Sequence, residues 1–199
     1  MKKHLALFLL LTLFLACSTN KNQPISDYMI QYVLNDTVND SFNNNKIRDS
    51  FVWIGQNKLS KKDALKALNN TSHYNKNNGK WDLKFNQTAL YNEKAWRKLV
   101  NKNADSPSPD YWKSNDFSFK NRVFSKQEID SIRKLADYSL REKVYFFTDA
   151  MYYNKDIAVF RLEEVTNQFD GGLFKDHILF MKKENGKWIV IDEGIINRY

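Results

Sequence analysis

The stretch from Lys143 to the C-terminus limits the fold of this chain more than any other. "VYFFTDAMYY" turns at Asn154-Lys155 into "DIAVFRLEEV", a loop through Gly171-Gly172 leads to "HILFMKK", and Asn185-Gly186 precedes "KWIVID". Each segment is rich in β-branched and aromatic residues and is bounded by turn formers, which is the pattern of strands. Asn-Gly between two such runs is the strongest short hairpin signal, because a type I′ turn needs positive φ at both central positions. Four successive strands joined by short turns predict an antiparallel meander.

Helices and shorter strands are expected upstream. Pro24 suits a first helical turn, and Ile25, Tyr28, Met29, Tyr32 and Val33 recur at the spacing of one helical face, predicting a helix over 24–35. Ile47 to Ile54 predicts a strand ending at Gly55. Ser60 with Asp63 resembles a capping box and opens a short helix to Leu68. Asn69 to Gly79 is polar and is expected to be a loop. Trp81, Leu83 and Phe85 alternate with polar residues and predict a strand. Thr88 to Asn101 suggests a helix with Trp96, Leu99 and Val100 inward, and 101–114, with Pro107 and Pro109, is the candidate internal loop or linker. Phe117 and Phe119 predict a short strand. Ser125 and Glu128 stand at capping-box spacing before a helix carrying Ile129, Ile132, Leu135 and Ala136 on one face. The expected class is therefore α+β: N-terminal helical elements and a C-terminal antiparallel β-meander packed on a helix, one domain over 24–199. "NGKW" occurs at Asn78–Trp81 and again at Asn185–Trp188, each copy before an apolar segment. Turn chemistry accounts for this without an internal duplication.

The other end of the chain carries an address. Met1-Lys2-Lys3-His4 is a basic leader, and Leu5 to Ala16 is apolar except for Thr12. About a dozen helical residues cover ~18 Å against a hydrocarbon core of ~30 Å, too short to span but the length of a signal-peptide core. The run stops at Cys17, the one cysteine in the sequence. Phe14-Leu15-Ala16-Cys17 resembles the lipobox of bacterial lipoproteins, with Phe14 where leucine is usual. The resemblance implies removal of residues 1–16 by cleavage between Ala16 and Cys17. It also implies acylation of Cys17 by a diacylglyceryl thioether, with palmitate-type chains, and a polar tether over 17–23. Ser18 is not the aspartate that retains many such proteins in an inner membrane, so the implied location is the cell envelope, membrane-anchored by lipid, at an outer membrane. Two or three chains on one cysteine anchor durably where one anchors only marginally. With Cys17 acylated no thiol remains for disulfides, thiol catalysis or a zinc site.

The C-terminal part also carries a resemblance. "FFTDAMYYNKDIAVF" and "MKKENGKWIVID" are similar to the ending of a group of bacterial envelope lipoproteins with no agreed activity, with Ala150 where proline is common. The resemblance implies an α+β domain with an exposed antiparallel sheet and brings no chemistry with it.

Chemical constellations are few. His73 falls in a polar Asn-rich stretch, and His177 begins a strand and is expected at its surface or edge. Asp176 beside it should face the other way, so the two form no dyad. No H-E-x-x-H, calcium loop or Gly-rich phosphate loop is present. Glu163, Glu164, Asp192 and Glu193 are the carboxylates available to a glycosidase, but adjacent strand residues face opposite sides, so Glu163 and Glu164 cannot share one site. No catalytic residue, metal ligand or cofactor is expected. Tyr145, Phe147, Tyr152 and Tyr153 suggest an exposed aromatic surface for a protein or glycan partner. The formal charge is +8; cleavage removes Lys2 and Lys3 and leaves +6. That excess suits anionic lipid headgroups or acidic glycans, and the implied compartment disfavours nucleic acid. The expectation is a lipid-anchored, non-catalytic binding module. A glycan- or wall-acting hydrolase and an immunity- or inhibitor-type lipoprotein are the alternatives.

Overall fold

The computed structural model describes residues 21–34, 51–75, 79–82, 84–103, 111–134, 143–166 and 175–198. The fold is α+β. Among the described residues nine strands form one mostly antiparallel sheet: β1 (Val52–Gly55), β2 (Ser72–Asn75), β3 (Lys80–Asp82), β4 (Asn121–Phe124), β5 (Lys143–Phe147), β6 (Met151–Tyr152), β7 (Ile157–Thr166), β8 (Lys175–Glu184) and β9 (Lys187–Arg198). The order is β3-β2-β9-β8-β7-β5-β1-β4, with β6 paired to β7. The predicted meander is the centre of this sheet. The Asn185-Gly186 turn has φ of 50° and 82°, the type I′ signature.

Segments that precede the meander add both margins. The β2–β3 hairpin lies against β9. On the other side β1 runs parallel to both β5 and β4. Lys80 and Trp81 of the first "NGKW" begin β3, as Lys187 and Trp188 of the second begin β9. Trp188 of the second copy is buried.

Helices cover both faces. α1 (Gln23–Tyr28) continues as a wider turn over Met29–Leu34. It brings Ile25 and Met29 onto one face, over Tyr145, Phe147, Phe160, Leu179 and Val190, with Trp112, Phe117 and Phe119 completing that core. α2 (Lys61–Leu68) and α3 (Glu93–Asn103) cover the opposite face, where Ala64, Leu65, Leu68 and Leu99 meet Phe85, Val159, Ile178 and Phe180. α4 (Lys126–Lys134) packs Ile129 against Phe124 and Val144 at the β4 margin. Both caps read from sequence are present. Ser60 accepts from the Asp63 N–H at 3.2 Å. The Ser125 N–H donates to Glu128 Oε2 at 2.8 Å while the Glu128 N–H donates to Ser125 Oγ at 3.2 Å.

Three local expectations are corrected. The stretch 69–79 is not all loop, because β2 lies within it; pairing with β9 supplies what local sequence does not. Phe117 and Phe119 are buried but not in a strand, since a 3₁₀ turn at Ser114–Asp116 precedes them and pairing begins at Asn121. "VYFFTDAMYY" is two strands rather than one, β5 and β6, both paired to β7. Leu135, Ala136, residues 104–110 of the 101–114 segment and the leader with Ala16 and Cys17 lie outside the described residues.

Candidate functional site

On the α1 face, four polar side chains sit diagonally across four adjacent central strands. Tyr145 on β5 stands directly opposite Glu164 on β7. His177 on β8 is opposite Leu162, one diagonal step from Glu164. Glu193 on β9 is opposite Leu179, one diagonal step from His177. Diagonal neighbours on one face lie within reach of long and aromatic side chains. His177 Nδ1 is hydrogen-bonded to Glu193 Oε1. Lys143 Nζ meets Glu164 Oε1 at 2.8 Å. Tyr145 is buried, and burial first, then the Glu164 charge and Tyr28, push its hydroxyl far above the usual tyrosine range. The row is half-open: the His177 and Glu193 side chains retain 15% and 20% exposure.

This arrangement corrects the expected edge position of His177. β8 lies between β7 and β9, so the imidazole is on an interior strand and half-buried. The opposite facing of Asp176 holds. Asp176 takes a bidentate fork from Arg161, Nε at 2.8 Å and Nη2 at 2.6 Å, and the same guanidinium meets Glu163 at 2.8 Å. These groups lie on the α2–α3 side, where burial raises the Glu163 carboxyl against the opposing pull of Arg161. The four carboxylates weighed for glycoside chemistry are therefore split, Glu164 and Glu193 on one face and Glu163 and Asp192 on the other.

Asp192 forms a pair that sequence reasoning missed. His73 lies in β2, fully buried, with Nδ1 3.1 Å from Asp192 Oδ1 and Nε2 3.1 Å from the Leu68 carbonyl at the end of α2. A carbonyl carries no proton, so Nε2 must donate. Asp192 Oδ2 is buried with no hydrogen-bond partner among the described residues. Gly194 permits this packing, since a Cβ there would lie 2.9 Å from the His73 ring.

The expected aromatic surface is corrected as well. Tyr145, Phe147 and Tyr153 are buried, and Tyr152 is half-buried with its hydroxyl donating to the Lys21 carbonyl at 3.0 Å. Both sides of this sheet are covered, so neither alternate set of aromatics is left for solvent. Tyr153 serves α3 instead: its hydroxyl donates to the Asn92 carbonyl at 2.9 Å and accepts from the Asn92 N–H at 2.6 Å.

The chain matches no family model, no curated protein and no solved structure. Among the described residues no cluster of three or more His, Cys, Asp or Glu is arranged to hold a metal ion, and no helix is long and apolar enough to cross a membrane. The Tyr145–Glu164–His177–Glu193 row is accordingly the candidate site. It offers a phenol, an imidazole with Nδ1 already bonded, and two carboxylates each bonded to a basic side chain.

Proposed function

We propose that this chain is a lipid-anchored protein of the cell envelope, acylated on Cys17, whose α+β body binds a protein or glycan partner and does not catalyse. The anchor rests on the sequence: a basic leader, a short apolar core, a small residue and the sole cysteine in register. The binding role rests on one observation, that both carboxylates of the row are already engaged, Glu164 by Lys143 and Glu193 by His177. A hydrolytic pair needs one carboxyl poised to give up a proton and the other free to attack or to activate water. Carboxylates already held by their neighbours instead suit recognition through hydrogen bonds, because they lose little freedom on binding.

Replacing Cys17 with serine tests the anchor. The precursor is expected to stay uncleaved and the protein to carry no acyl chain, whereas identical maturation and membrane retention would overturn this reading. Crosslinking in intact envelopes, followed by capture of the chain, tests the binding role. The same partner is expected from independent preparations and is lost in a folded His177→Ala/Glu193→Gln variant. Release of soluble fragments from purified wall or glycan by the wild-type chain would instead establish the hydrolase.

A further inference from the structure

The N-terminal stem is tied to one place on the body. The Lys21 carbonyl accepts from Tyr152, Asn22 is buried with its Oδ1 3.5 Å from the Ala150 N–H, and Lys21 Nζ is 3.6 Å from Asp149. Asp149 lies in the short connection between β5 and β6. Two further ammonium groups converge on it, Lys58 at 3.2 Å and Lys61 at 3.7 Å. Among the described residues, three lysines share this one carboxylate. The array is braced from below. Lys58 lies 4.3 Å over the Trp112 ring, and the Leu59 N–H donates to the Phe147 carbonyl at 2.8 Å.

An exposed aromatic residue stands beside this array. Tyr111 is 61% exposed, and its backbone bridges Asn57, next to Lys58. Tyrosine and lysine together are the composition of a membrane–water interface, where an amphipathic ring sits at headgroup level and ammonium groups meet lipid phosphate. Chain length supplies the remaining constraint. Lys21 follows Cys17 by four positions, a span of at most about 14 Å.

We propose that the surface formed by Lys21, Lys61 and Tyr111, with the largely buried Lys58 behind them, lies against the bilayer and engages the phosphates of anionic phospholipids. The inference rests on acylation of Cys17, since a glyceride at that position holds Lys21 within the tether's reach of the headgroups. The lipid supplies the hold, and the lysine array sets which face meets the membrane. The Tyr145–Glu164–His177–Glu193 row can then be presented to a partner in a defined orientation.

The test uses the lipidated chain on vesicles of phosphatidylcholine alone and of phosphatidylcholine mixed with phosphatidylglycerol. Flotation reports the anchor, and amine labelling read by mass spectrometry reports the face. Labelling of Lys21, Lys58 and Lys61 is expected to fall about fivefold on the anionic vesicles, the factor that one lysine near an anionic surface contributes. Lys175, at the far end of β8, should not change. High salt should remove the protection, and Lys21→Gln/Lys61→Gln should weaken it at Lys58. Flotation with equal labelling on both vesicle types overturns the proposed face and leaves the anchor standing. Failure to float on either overturns both. Equal protection by inorganic phosphate without vesicles overturns the assignment to lipid.

Discussion

His73 and Asp192 are fully buried ionisable groups whose only described polar contacts are each other and the Leu68 carbonyl. Removing one partner strands the other, and a broken buried pair typically costs about 3–5 kcal/mol. His73→Ala is therefore expected to lower the urea midpoint by an amount in that range, and a double apolar replacement at His73 and Asp192 to recover most of it. Gly194→Ala drives a methyl into the imidazole and should destabilise by about 1–3 kcal/mol, the usual effect of overpacking. A second residue-scale expectation concerns alkaline pH. Burial raises the hydroxyls of Tyr145, Tyr152 and Tyr153. An unfolded tyrosine ionises near pH 10, so above that pH the unfolded chain sheds protons that the folded chain keeps. Stability is then complete below about pH 10 and falls as pH rises further. Tyr145→Phe should shift the alkaline unfolding midpoint upward, as followed by circular dichroism. Little of this was legible in the sequence. His73 sits among asparagines and serine, which gives no local sign of a buried strand, and its partner is 119 residues away.

At the scale of elements, local chemistry and structure agree most closely where the signal is a cap or a tight turn. Ser60 and the Ser125–Glu128 pair cap helices because their oxygens satisfy N–H groups left free in a first turn. Ser60→Ala should cost about 1 kcal/mol by thermal unfolding. The Gly186 φ of 82° makes Gly186→Ala unfavourable by about 1–2 kcal/mol although space around it is open. Less visible was the second task of α1. The first half of β9 lies beyond the reach of β2, which pairs only with Asp192 to Ile195. Side chains of the first helical segment meet its backbone there: Asp27 accepts from the Trp188 N–H at 2.8 Å, Gln31 donates to the Trp188 carbonyl at 2.9 Å, and Tyr32 accepts from the Val190 N–H at 3.4 Å. These bonds cover an edge that would otherwise be open to another strand. The periodicity of Ile25, Tyr28 and Met29 identified the helix, but not the polar residues between them that cap the sheet.

For the whole molecule, the meander is central but not self-sufficient. Its two faces are covered by α1 on one side and by α2 and α3 on the other, all from the N-terminal half. An isolated fragment of residues 143–199 would expose both faces and leave Asp192 without His73. It is expected to show no cooperative unfolding transition and poor amide dispersion by NMR, whereas the chain from residue 17 onward unfolds cooperatively. The sequence by itself determined the elements whose stabilising contacts are local: the hairpin turn, the helix caps, the alternation of β7 to β9, and the opposite facing of Asp176 and His177. Tertiary structure alone decided what each face meets. It buried the aromatics from both sides, put Glu164, His177 and Glu193 in one row, joined His73 to Asp192, and gathered three lysines around Asp149. The physical reason is range: a turn or a cap is stabilised within a few residues, whereas burial and charge pairing depend on strands and helices that approach only when the sheet closes.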